Sequence, residues 1–250
     1  MTHAVICEGL WKSYQRHRPV GVKALLLGAQ QPVDNRFARE WALGDVGFVV
    51  PRGRSFGVIG ANGSGKSTLL SILLGTVQAD RGRTSLNGPV ASLLELGAGF
   101  HGDLTGRENV VLYGSILGMR LAEIRRRFES IAGFSELEGA MHQPLRTYSA
   151  GMIARLGFSI IIHSAAEVLL IDEVLAVGDA RFQAKCRRAL REFRERGGTL
   201  VIVSHNMKEV SEVCDEGVCL DLGRVVDAGS MAGVAARYEA RMAGGPNGRA

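Results

Sequence analysis

Apolar positions along this chain follow two periods in turn, and their alternation predicts strands separated by helices. Continuous apolar runs at residues 56 to 59, 168 to 171 and 200 to 203 are the pattern of strands buried on both faces. A short strand is predicted at residues 5 to 7, and Val46, Phe48 and Val50 alternate as a second. Helical spacing follows in Leu69, Leu70, Ile72, Leu73 and Leu74, after a helix start at about Lys66. Asn87-Gly88 reads as a hairpin turn before an apolar run at residues 90 to 96. Thr105 and Glu108 have capping-box spacing and open a helix to about Leu117. The next helix puts Leu121, Ile124, Phe128 and Ile131 on one face, while Arg125, Arg126 and Arg127 mostly face solvent. Helices are also predicted at residues 150 to 163 and 181 to 196, the latter closed by Gly197-Gly198. Strands joined through helices give an α/β fold with a mainly parallel sheet, ligands binding beyond the carboxyl ends of its strands.

Composition narrows the class without deciding it. At 250 residues and 46 % hydrophobic content the chain buries one substantial core, and no break in composition calls for two domains. Its longest apolar stretch, residues 160 to 171, is too short to span a bilayer and carries His163 and Glu167. His3 and Glu8 bracket only a short apolar run, so no signal peptide is expected, and the predicted location is the cytosol or its face of a membrane. Cys7, Cys186, Cys214 and Cys219 lack C-x-x-C spacing and read as buried free thiols. A net charge of +5 suits an anionic membrane, a nucleotide or a nucleic acid equally. Residues 15 to 41 form a basic insertion with Arg16, Arg18, Lys23, Arg36 and Arg39 around Leu25, Leu26 and Leu27, broken by Pro19 and Pro32. It reads either as a solvated loop with a helical turn or two, or as a basic element facing a membrane or partner.

The chemistry is concentrated where the strands end. Gly60, Ala61, Asn62, Gly63, Ser64, Gly65, Lys66, Ser67 and Thr68 fit the phosphate-cradling pattern G-x-x-x-x-G-K-[ST] directly after the run at 56 to 59. Such a loop turns successive backbone N–H groups toward a polyphosphate, with Lys66 as a point charge and the Ser67 hydroxyl available to Mg²⁺. The strand at 168 to 171 runs into Asp172, placed to hold Mg²⁺, and Glu173, placed to polarise the attacking water. By itself such an acidic pair also serves as a strand cap; beside a complete phosphate loop the catalytic reading prevails. The strand at 201 to 203 delivers Ser204 and His205 to the same edge. A histidine after a strand is more often a capping or surface residue, and only its order after the other two elements brings His205 into the site.

Tyr148, Ser149, Ala150, Gly151 and Met152 resemble the signature sequence of ATP-binding cassette (ABC) proteins, which typically reads L-S-G-G-Q. The resemblance runs from Tyr14 to about Tyr238 in the family's order. It implies a P-loop NTPase cassette over residues 1 to 240, with a helical signature subdomain at about 101 to 163 and a small antiparallel β subdomain, then a flexible tail at 241 to 250. It implies ATP and Mg²⁺ as ligands, and a dimer in which the signature of one copy closes over the ATP on the phosphate loop of the other. Ser149 begins a helix whose free N–H groups and dipole would meet a γ-phosphate. By the same resemblance Tyr14 is the aromatic that stacks on adenine, with Trp41 a second candidate. Lys66 and Ser67 contact phosphate and Mg²⁺, Asp172 is the magnesium acid, Glu173 the catalytic base, Asp179 the D-loop acid and His205 the switch histidine.

Residues 93 to 101, the segment Leu104 to Asn109, and Asp172 to Asp179 followed by Phe182 and Gln183 together resemble the branch that exports lipid-linked O-antigen, capsule or teichoic acid chains across the bacterial inner membrane. The basic insertion resembles an extension found in that branch. Implied partners are a second copy and an integral membrane permease, at the cytoplasmic face of the inner membrane, with the polysaccharide contacted through the permease and no nucleic acid expected. Two departures stand out. No glutamine occurs from Pro89 to Val110, where most cassettes have one, so Glu95 or the turn at 97 to 100 is left for that place. The chain ends soon after Tyr238, without room for the carbohydrate-binding domain some relatives add, so glycan recognition is expected in the permease. A cassette acting on nucleic acid or ribosomes is the rival reading, but coiled-coil insertions and a second cassette are both missing here. Another cargo, lipid or peptide, is opposed only by the branch-like segments.

Overall fold

Strands without a polar face need cover on both sides, and this chain supplies a different cover to each. The computed structural model describes residues 3–15, 39–94, 99–172 and 178–243. In chain order the first elements are β1 (His3–Gln15), β2 (Arg39–Pro51), β3 (Ser55–Ile59), α1 (Lys66–Leu73), β4 (Arg81–Leu86) and β5 (Val90–Ser92). Three helices follow, α2 (Gly106–Ile116), α3 (Leu121–Ser135) and α4 (Ala150–Ile162). Then come β6 (Val168–Asp172), α5 (Ala180–Glu195), β7 (Thr199–Ser204), α6 (Met207–Val213), β8 (Glu216–Asp221), β9 (Arg224–Ser230) and α7 (Met231–Ala243).

A six-stranded sheet in the order β5-β6-β7-β3-β8-β9 is parallel except for its last pair, and β2-β1-β4 form a separate antiparallel sheet. The period-two side-chain alternation divides the core. Leu169, Ile171, Leu200 and Ile202 join one cluster with α2 to α7, while Leu170, Val201, Val203 and Val58 join another with α1 and the antiparallel sheet. The described helices are all too short or too polar to cross a membrane. All four cysteines are buried free thiols, and desolvation raises Cys7 and Cys186 to about 12.

The structure departs from the sequence pattern in four places. Asn87-Gly88 does not close a hairpin; Asn87 bonds to Ala4 and His3 carbonyls, and the chain then leaves β4 for β5, which pairs with β6 in the other sheet. The first strand is thirteen residues rather than three, because pairing with β2 and β4 on its two edges carries it through polar positions. Leu121, the first residue of α3, is 47 % exposed, while Ile124, Phe128 and Ile131 are buried. Arg125 and Arg126 face solvent, but Arg127 turns inward and donates to the carbonyls of His163 and Ser164, a cation closing the carboxyl end of α4. The greater part of the basic insertion, residues 16 to 38, lies outside the described residues, as do 95–98, 173–177 and 244–250.

Candidate functional site

The phosphate loop is shaped by what has no room around it. A Cβ on Gly60 would sit 2.3 Å from the Leu220 carbonyl and 2.6 Å from Ser64 Oγ, so a side chain there would displace the β8 end or the loop itself. Gly65, at φ 104°, caps α1, and a Cβ on it would meet the Ala42 carbonyl at 2.5 Å. The β8–β9 hairpin backs the loop: Gly223 N–H donates to the Ser64 carbonyl at 3.0 Å and Gly223 accepts from Gly44 at 2.8 Å. Lys66 is only 6 % exposed, and its ammonium donates to the carbonyls of Gly60 (2.8 Å) and Ala61 (3.0 Å). Ser64 Oγ is buried without a protein partner, a hydroxyl in the loop wall with bonding capacity to spare. A glycine-shaped cradle, a buried ammonium, an unused hydroxyl and a helix start together fit a polyphosphate.

Sheet register brings the acidic strand to this loop. Ile59 is level with Ser204 across β3 and β7, and Asp172 is level with Val203 across β7 and β6, so Gly60, Asp172 and His205 emerge from one edge. Asp172, Asn62, Gly63, Gly65, Lys66, Ser67 and Thr68 line a cleft of about 310 Å³, joined by Tyr14 and Ala42. Asp172, Ser67, Thr68 and Asn62 bring side-chain oxygens to this lining, donors of the kind that suits a hard cation such as Mg²⁺ completed by water and substrate phosphate. His205 is exposed just past β7. Glu173 lies outside the described residues. Tyr14, 44 % exposed, lines the cleft; Trp41 is not among its lining residues and stands edge-on to Trp11 with ring centroids 5.1 Å apart.

The signature residues occupy a different place. Ser149 is the N-cap of α4 and accepts from Met152 N–H at 3.2 Å, with Ser149, Ala150 and Gly151 exposed. Tyr148 is buried and its hydroxyl donates to the Ala140 carbonyl at 2.7 Å, so its ring anchors the segment. None of residues 148 to 152 lines the phosphate cleft of the same copy. Asp179 caps α5 through Phe182 N–H (2.9 Å) and accepts from Arg155 of α4 at 2.8 Å; the capping bond, with Arg155, holds its carboxyl below the usual range.

Several residues of consequence were given no role of their own by the sequence. Arg155 also pairs with Glu136 at 3.3 Å and lies over the Phe182 ring, joining α4, α5 and the end of α3. Asn109 is wholly buried and ties down the turn at 101 to 105 that precedes α2. Lys12, Ser13 and Asp80 form a polar knot beside Tyr14. Adjacency to Tyr14 was the only available hint for the first two.

Comparison with known proteins places the chain in a family. Residues 43–176 match the family model described as ABC transporter. The chain is similar to an O-antigen export system ATP-binding protein of Klebsiella pneumoniae, 42 % identical over 228 residues that cover 91 % of this chain and 93 % of that one. It is similar to a teichoic acids export ATP-binding protein of Lactococcus lactis, 40 % identical over 214 residues, 86 % of this chain but 45 % of the relative. Among solved structures, an ATP-binding subunit of an ABC transporter shares the fold with a TM-score of 0.77 at 23 % identity, covering 96 % of this chain and 95 % of that one. A post-hydrolysis dimeric cassette bound to ADP and phosphate superposes with a TM-score of 0.71 at 19 % identity, covering 91 % and 98 %.

Proposed function

The chain belongs to the ABC transporter family, an ATP-hydrolysing cassette, and from that premise we propose that it works as a dimer that powers a separate membrane permease exporting a lipid-linked polysaccharide. The export reading is carried by the near end-to-end match to a relative named for O-antigen export. The dimer is supported by geometry: the exposed helix start at Ser149 lies outside its own phosphate cleft, and a second copy would bring the two together. An apolar groove of about 490 Å³, lined by Leu74, Val90, Leu94, Tyr113, Ile116 and Leu117, offers the permease a surface between α1 and α2.

In the proposed mechanism the loop N–H groups and Lys66 hold the β- and γ-phosphates, and Tyr14 supports the adenine. Bound Mg²⁺, held by Ser67 and Asp172, would neutralise charge developing on the phosphates. Glu173 takes the proton of the attacking water, and His205 orients the γ-phosphate from the neighbouring strand end. Ser149 and the free N–H groups of α4 contact the γ-phosphate held by the partner copy, and Asp179 faces the same junction. The location that follows is the cytoplasmic face of the inner membrane, peripheral to it.

Glu173→Gln keeps ATP binding and slows turnover by roughly 10²- to 10⁴-fold. Light scattering of that variant with ATP and Mg²⁺ should give a dimer. A variant that stays monomeric both alone and with its permease would overturn the reading.

A further inference from the structure

β1 runs past the end of its neighbour β4. Its pairing with β4 stops at Trp11↔Arg81, yet the strand continues to Gln15 with β2 on one edge only, and the β1–β2 register shifts at Leu10/Lys12 and at Lys12/Ser13. An irregular one-sided ladder holds a strand end weakly. Tyr14 sits on that end.

Asp80, the residue before β4, takes over where β4 stops. Its N–H donates to the Trp11 carbonyl at 2.8 Å. One carboxylate oxygen accepts from both Ser13 N–H (2.8 Å) and Ser13 Oγ (2.7 Å), and the other accepts from Lys12 Nζ at 3.0 Å. Lys12 Nζ donates further to the Gln78 carbonyl at 2.8 Å and lies 5.6 Å from the Tyr14 ring centroid. The Ser13 hydroxyl, Ser13 N–H and Lys12 together hold the Asp80 carboxyl down to about 2, so the clamp is ionised at any working pH. On the other side, Asp80 ends the connection to β4 from α1, the helix that begins at Lys66 in the phosphate loop, and the Gln78 carbonyl that Lys12 also bonds lies in that connection. The clamp therefore ties the segment bearing the cleft aromatic to the connection between α1 and β4.

We propose that Asp80 is a positioning residue for nucleotide selection: by locking Lys12 and Ser13 it fixes Tyr14 against the base and makes the cleft prefer a nucleoside triphosphate to a bare polyphosphate. This rests on the reading of Tyr14 as the adenine platform. Asp80 is not among the residues lining the phosphate cleft, so its removal should act on the base half of the ligand alone.

Titration calorimetry of the full chain with ATP and with inorganic tripolyphosphate, both with Mg²⁺, separates these halves. Asp80→Ala should weaken ATP by about five- to tenfold, the scale of freeing a residue or so of ordered backbone, and leave tripolyphosphate within about twofold. Tyr14→Ala should lose about tenfold or more for ATP only, the scale of one base–aromatic stack. Adding Asp80→Ala to Tyr14→Ala should then cost nothing further, and Asp80→Glu should recover part of the loss. If Asp80→Ala fails to fold, Ser13→Ala removes only the hydroxyl contact and should show the same selectivity at smaller amplitude. Equal weakening of both ligands, or full additivity with Tyr14→Ala, overturns the proposal. A wild-type chain that binds both ligands alike, or is unmoved by Tyr14→Ala, removes the platform itself and the proposal with it.

Discussion

Asn109→Ala tests how the turn before α2 is held. Asn109 is fully buried, and its side chain accepts from His101 N–H at 2.8 Å while donating to the carbonyls of His101, Leu104 and Thr105 at 3.0 Å each. The four losses are unequal. The His101 carbonyl keeps Leu104 N–H, the Leu104 carbonyl keeps Leu145 N–H, and the Thr105 carbonyl keeps the Asn109 N–H. Only the His101 N–H is orphaned outright. One part-buried orphan at about 1–2 kcal/mol, plus three weakened acceptors at about 0.5 kcal/mol each, gives a loss of about 3 kcal/mol. For a chain of this length that lowers Tm by about 6–12 °C. Asn109→Asp keeps the acceptor for His101 N–H but turns a buried carboxylate toward three carbonyls, so it should cost more than alanine. Urea denaturation of both variants, with matched m-values, measures the difference. A loss below about 1 kcal/mol for alanine, or an aspartate variant as stable as the parent, would refute the accounting.

Two further outcomes are expected. Phe158, 1 % exposed on α4, packs with Phe134 of α3 and Phe182 of α5, so Phe158→Ala should cost about 3–5 kcal/mol in urea titrations, and a loss under about 1.5 kcal/mol would mean the three helices close over the gap. Burial lowers the His163 pKa below its ordinary 6.5, and Arg127, Arg196 and Lys185 add to this against the favourable Ser159 carbonyl. The unfolded chain therefore binds a proton near pH 6.5 that the native chain refuses, and stability is lost as pH falls through that value. His163→Gln should flatten that part of the profile between about pH 7.5 and 5.5, and identical slopes for variant and parent would contradict it.

How much of the site could be read in advance depended on whether its residues lie together in the chain. The phosphate loop was legible because one short segment supplies the glycines, the lysine and the helix start, and each has its own stereochemical reason. Asp172 and His205 were legible because buried strands deliver them at the same end. The Thr105 capping box was legible because both partners lie in one turn, where Thr105 Oγ1 accepts from Glu108 N–H and Glu108 accepts from Thr105 N–H. Asn87-Gly88 misled for the complementary reason: a glycine turn fixes a change of direction but not the sheet into which the chain then goes.

The sequence alone determined the parallel α/β order, the phosphate loop and the acidic strand end, because each is a local pattern whose period or spacing states its own conformation. Tertiary structure decided what distant segments do to one another. Tyr14 rather than Trp41 came to line the cleft, Asp80 met Ser13 across 67 positions, and Arg155 reached Asp179 across 24. Such pairings leave no periodic trace, because a side chain's partner across the fold is set by register and packing rather than by its neighbours in the chain.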